Sequence, residues 1–102
     1  MKVYISGPMT GYHDFNVPAF NAAAFRLRQL GHDVLNPADG GTDAGKTWAD
    51  YLRDDIALVV QADAVAVLRG WQESRGASLE VHIAHALGMT VLPIERWTAG
   101  AR

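Results

Sequence analysis

Apolar positions along the chain change period several times, and each change marks an element. Residues Lys2 to Ser6, KVYIS, alternate β-branched and aromatic side chains and stop at Gly7 and Pro8, which predicts a buried strand. A Gly-containing loop follows to about Phe15. Val17, Phe20, Ala24, Leu27 and Leu30 then recur at helical spacing, with Asn16 as the expected cap, Pro18 in the first turn and Gly31 as the stop. Residues 32–36 (HDVLN) read as a second short strand. Residues 37–46 are polar, rich in glycine and without period, a candidate lid. Thr47 with Asp50 three residues on has the form of a capping box and opens a helix to about Gln61. Residues 62–68 (ADAVAVL) are an unbroken run of small and apolar side chains, as in a strand covered on both faces. A loop over residues 70–75, a helix over 76–87 closed by Gly88, and a strand over 89–94 complete the pattern. From Glu95 onward no pattern is evident.

The resulting order, β-α-β-α-β-α-β, requires right-handed crossovers and a parallel sheet with helices on both faces. The expected fold is a small doubly wound α/β domain, flavodoxin-like or Rossmann-like, with about four parallel strands, spanning residues 1–94 with a tail over 95–102. Ligands of such folds sit at the carboxyl ends of the strands, here the loops after Ser6, Asn36 and Leu68.

Two carboxylates fall where the helical pattern calls for apolar side chains. In the second helix Trp48, Tyr51, Leu52, Ile56, Leu58 and Val59 share an arc that also contains Asp55. In the third, Leu79, Ile83, Ala84, Ala86 and Leu87 form the apolar face, which contains Glu80, while Val81, His82 and His85 lie outside its densest part. One such carboxylate is explained by an arc edge or a nearby backbone amide. Two, on helices flanking one strand, suggest a shared pocket, because an ionised carboxylate is costly to bury alone. A carboxylate pair suits substitution at an anomeric carbon, one member as nucleophile and the other as proton donor.

The loops add phosphate-binding and stacking candidates. SGPMTG places Ser6, Gly7 and Gly11 directly after the first strand, where small residues let backbone amides approach a sugar or phosphate, although turn geometry explains such glycines equally. Ser74, Arg75 and Gly76 stand at a helix N-terminus, which favours anions, or where Ser74 serves only as a cap. Trp71 beside them is a candidate for stacking on a base or for packing. Tyr4 alternates with Val3 and Ile5 and lies within reach of Glu80. Gly40 to Thr47, GGTDAGKT, satisfies the phosphate-loop pattern, but Pro37, Ala38 and Asp39 separate it from the preceding strand, so NTPase chemistry is not expected. His82 and His85 lack a third ligand nearby and read as a solvated face, so no metal or organic cofactor is implied.

Composition narrows the function class. Nine Lys and Arg against eleven Asp and Glu give a net charge of -2 without a basic run, which argues against specific nucleic-acid binding. The absence of cysteine excludes disulfides, thiolate metal sites and a cysteine nucleophile. No apolar stretch approaches the ~20 residues of a membrane span, and no basic-then-apolar leader opens the sequence, so a cytoplasmic protein is expected. A chain of 102 residues buries roughly two thirds of its unfolded surface, one modest core, so a complete cleft calls for a homodimer or higher homo-oligomer.

KVYISGPMTG, the helix carrying Asp55, and SRGASLEVHIAHALG together resemble the nucleoside 2-deoxyribosyltransferase superfamily, and most closely its short bacterial and phage branch of unassigned function. The resemblance implies Glu80 as nucleophile, Asp55 as the acid at the leaving base and Tyr4 as the hydroxyl that bonds the nucleophile. Ser74 matches a position where the transferases carry an acid for a free 5'-hydroxyl and the nucleotide hydrolases carry serine for a 5'-phosphate. The implied substrate is a nucleoside or nucleoside 5'-monophosphate. The chain lacks the C-terminal extension of typical transferases, which leaves a catalytically silent nucleotide-binding or sensing module as the alternative.

Overall fold

In a computed structural model, which describes residues 1–99, every predicted strand forms and all four lie parallel in one sheet of order β2-β1-β3-β4. The strands are β1 (Lys2–Ser6), β2 (Asp33–Leu35), β3 (Ala64–Val67) and β4 (Thr90–Pro93), and the helices α1 (Val17–Gln29), α2 (Trp48–Val59), α3 (Arg75–Ala86) and α4 (Ile94–Thr98). This is the expected small doubly wound α/β fold. The chain's reversal of direction across the sheet falls between β1 and β3, so their carboxyl ends flank the crevice where such folds bind ligands.

The strand period divides the core cleanly. Val3 and Ile5 point to one face with Phe20, Ala23, Ala24 and Leu27 of α1 and Ile94 of α4. Tyr4 points to the other with Val59 of α2 and Val81 and Ala84 of α3. β3 is buried along its whole length, which is why its sequence shows no alternation.

Three local expectations are corrected. Asn16 precedes α1 but caps nothing: Asp14, Phe15 and Asn16 all adopt left-handed backbone (φ 51°, 51° and 62°), whereas a cap needs extended backbone. Its side chain instead donates to the Pro8 carbonyl at 2.9 Å, tying the loop after β1 back onto itself. The buried face of α3 is Ala77, Glu80, Val81 and Ala84, and Leu79, Ala86 and Leu87 are exposed. The small residues let α3 approach the sheet closely, and the leucines are left outside. Finally, the segment expected to be patternless from Glu95 forms α4, whose Trp97 indole donates to the Leu92 carbonyl at 3.2 Å. Residues 100–102 of that tail lie outside the described residues.

The capping box at α2 forms as expected, with Asp50 N–H donating to Thr47 Oγ1 at 3.1 Å and Thr47 N–H to Asp50 Oδ2 at 2.9 Å. Lys46, the lysine of the phosphate-loop pattern, pairs with Asp54 at 2.7 Å on the exposed surface. Lys46 and Thr47 of that pattern are thus partnered by Asp54 and Asp50. No helix among the described residues is long and apolar enough to cross a membrane.

Candidate active site

The period of β1 that sends Tyr4 toward α2 and α3 sends Ser6 the same way. On α3, Ala77, Glu80, Val81 and Ala84 follow the i, i+3, i+4, i+7 spacing, so Glu80 sits in the middle of the buried face. The two elements meet in one bond: Ser6 Oγ donates to Glu80 Oε1 at 2.7 Å, across 74 residues of sequence, with Ser6 fully buried and Glu80 only 5% exposed.

Tyr4 is fully buried beside this pair, and its hydroxyl has no hydrogen-bond partner among the described residues. It lies close enough to Glu80 to favour the carboxylate's charge, without closing a bond of ordinary geometry. Burial first, then the charges of Glu80 and Asp55, push the phenol well above its ordinary range, so it stays protonated as a donor. An unsatisfied buried hydroxyl costs about 1–3 kcal/mol, a penalty that a bound acceptor would remove.

The two carboxyls that the sequence singled out are electrostatically coupled. Burial raises Glu80 to about 7, helped by the charge of Asp55 and opposed by the Ser6 and Tyr4 hydroxyls. Asp55 on α2 is half-buried and raised to about 6, chiefly by burial, then by Asp54, with Lys46 opposing. The site therefore holds carboxyls able to exchange a proton near neutral pH.

A groove of about 360 Å³ lies at the carboxyl edge of the sheet, bordered by Pro8 and Thr10 on one side and Ser74, Arg75, Gly76 and Trp48 on the other. Ser74 caps α3, accepting from Ala77 N–H at 3.2 Å, and the Arg75 guanidinium stacks 4.3 Å from the centre of the Trp48 ring. Glu80 does not border this groove. A second hollow of about 390 Å³ opens on the opposite face between α1 and α4, away from both carboxyls.

The remaining candidates separate. Gly7 is a steric necessity: a Cβ there would stand 2.7 Å from Leu68 Cβ, because the ends of β1 and β3 converge. Gly7→Ala is expected to cost about 1–3 kcal/mol of stability by denaturant titration; a neutral result would contradict the close approach. Gly11 sits in an exposed left-handed turn with no neighbour, and does not border the groove. Trp71 is half-buried against the Tyr4 cluster, so packing accounts for it. The aromatics that border the groove are Tyr12, 47% exposed, and Trp48, 41% exposed, which the helical pattern assigns to an apolar arc. The place of Trp48 in the first turn of α2, facing the carboxyl ends of the strands, was the available clue. His82 and His85 are exposed, and among the described residues no three His, Cys, Asp or Glu side chains converge as a metal site would require.

A family model described as a domain of unknown function (DUF4406) matches residues 1–93. Among solved structures, a 2-deoxyribosyltransferase from the psychrotolerant bacterium Bacillus psychrosaccharolyticus superposes with a TM-score of 0.70 at 20% sequence identity, over 90% of this chain and 71% of that one. At that identity the likeness establishes a shared fold. No curated protein matches.

Proposed function

The chain belongs to the DUF4406 family, and from its site we propose that it cleaves or transfers the N-glycosidic bond of a nucleoside or nucleoside 5'-monophosphate. The observation that carries this reading is the buried Glu80 carboxylate, bonded by Ser6 and flanked by Asp55 and the unpartnered Tyr4 hydroxyl. The 2-deoxyribosyltransferase fold supports the same substrate class.

In the proposed reaction Glu80 attacks C1', the bond from C1' to the base nitrogen breaks, and its electron pair leaves with the base, which takes a proton from Asp55. The sugar remains as an ester of Glu80. Water or a second base then attacks C1' and returns the proton to Asp55, restoring both carboxyls with retained configuration. Tyr4 supplies a neutral donor beside Glu80, and the α3 N-terminus with Ser74, Arg75 and Gly76 offers positive potential to a 5'-phosphate. The direct test incubates the protein with a panel of ribo- and deoxyribonucleosides and their monophosphates and follows base release by chromatography. Release is the expected result, and its absence across the panel would overturn the reading.

One observation favours a nucleotide-binding module without turnover: Glu80 is 5% exposed and does not border the groove. Saturable nucleotide binding by calorimetry with no base release over long incubation would select that module.

Self-association is part of the same proposal. Leu79 on α3 and Leu87 just past its end stay exposed, at 39% and 56%. A dimer or larger assembly at micromolar concentration is expected by analytical ultracentrifugation, dissociated by Leu87→Glu. A monomer throughout that range would remove this part of the reading.

A further inference from the structure

We propose that Ser6 is a positioning residue, which fixes the Glu80 carboxylate through one oxygen, favours its ionised form and leaves the other oxygen free for substrate. The proposal rests on the reading of Glu80 as nucleophile. It departs from the expectation that Ser6 holds the sugar or its phosphate.

Geometry assigns this role. Ser6 is the last residue of β1, fully buried, and its Oγ makes one hydrogen bond among the described residues, to Glu80 Oε1. A fully buried hydroxyl already committed to a carboxylate is poorly placed to meet a ligand in the groove, and Ser6 is not among the residues that border it. Glu80 Oε2 accepts no hydrogen bond from the described residues, so the carboxylate is held at one end and open at the other. Strand parity makes the arrangement specific: at position 5 or 7 the hydroxyl would face α1 instead.

The charges around Glu80 show why a donor is needed. The titratable groups acting on it are Tyr4 from β1 and Asp55 from α2, while β3 contributes only Ala64, Val65, Ala66 and Val67. Asp55 is in turn acted on by Asp54 and Lys46. Burial and Asp55 both favour protonated Glu80, and the Ser6 hydrogen bond is the larger of the two effects opposing them. With Glu80 near 7 and Asp55 near 6, the last proton of the pair resides mainly on Glu80. The reactive arrangement, with that proton on Asp55, is then the minority form of the singly protonated pair. Without the Ser6 donor that fraction should fall about tenfold.

The experiment follows the Glu80 side-chain carboxyl by carbon-13 NMR through a pH titration of wild type, Ser6→Ala and Ser6→Cys, the last nearly isosteric but a poor donor. Both variants are expected to raise the Glu80 midpoint by about one pH unit. In base release, kcat at neutral pH should fall about tenfold, the falling limb of the pH profile, which follows loss of the last proton, should move to higher pH by the same amount, and KM should stay within about twofold. An unchanged Glu80 midpoint in either folded variant overturns the proposal. So does a rise in KM with kcat retained, which would return Ser6 to substrate binding. If the midpoint moves as expected but wild type releases no base from any substrate, the Ser6 hold on Glu80 stands and the glycosidic reading fails.

Discussion

Glu80→Gln is expected to lower base release by about four to six orders of magnitude in a protein that folds as well as wild type. Glutamine keeps the shape of the side chain, and its amide oxygen can accept the Ser6 hydroxyl as Glu80 Oε1 does. It lacks the charge that must form the bond to C1' and stabilise a developing positive sugar, so binding should survive while turnover is lost. Glu80→Ala should be equally inactive, and it also leaves a cavity where the buried side chain packs. A deoxynucleoside whose sugar is fluorinated to slow the second step should leave wild type heavier by one glycosyl group on Glu80 by mass spectrometry, and the glutamine variant unchanged. Substantial base release by Glu80→Gln would end the assignment of Glu80 as nucleophile, and would shift attention to Asp55 as the reacting carboxylate.

Much of this site was legible before any coordinates, for identifiable reasons. Alternation in KVYIS placed Tyr4 and Ser6 on one face, and helical spacing put Asp55 and Glu80 among apolar neighbours, where charge demands a reason. The fold followed from the order of elements, and the Thr47 and Asp50 cap from a motif whose bonds are local. What escaped were contacts between distant segments and effects of size. Hydropathy turns α3 the wrong way because Leu79 and Leu87 outweigh Ala77 and Ala84, although small residues are the ones that permit close packing against β3. The helix at Ile94–Thr98 is too short to display a period, and what holds it is Trp97, whose indole bonds the Leu92 carbonyl and whose ring meets His32 edge-on at 5.4 Å. The left-handed run at Asp14, Phe15 and Asn16 is a conformation that side-chain chemistry alone does not announce. The sequence could nominate Ser6 and Glu80 separately, but their bond spans the whole domain and belongs to packing.

The stability of the protein should fall as pH rises through neutrality, driven by the raised carboxyls of Asp55 and, the more deeply buried of the two, Glu80. The pKa of Glu80 is raised from 4.5 to about 7 in the folded protein, so the folded state binds the proton more tightly than the unfolded one. The stabilising contribution is fully present below pH 4.5, where both states are protonated, and is lost as pH rises through 7. Converted at about 1.4 kcal/mol per pH unit, the loss is about 3 kcal/mol above pH 8, most of it incurred between pH 5 and 7. For a domain of 102 residues that is a large share of the total. Asp50, whose pKa is lowered by its capping box, acts in the opposite sense, but below about pH 4 and so outside this window. Denaturant titrations at pH 5 and pH 8 should therefore show wild type losing stability relative to Glu80→Gln, whose amide does not titrate. Asp55→Asn should recover part of the loss, because it removes both Asp55's own titration and the negative charge that helps raise Glu80. If the two pH values give the same difference between wild type and Glu80→Gln, Glu80 is not perturbed and the coupled pair that the proposed reaction depends on does not exist. If the slope appears, the protein keeps at its centre a charge that weakens its own fold, a cost more readily explained by chemistry than by packing.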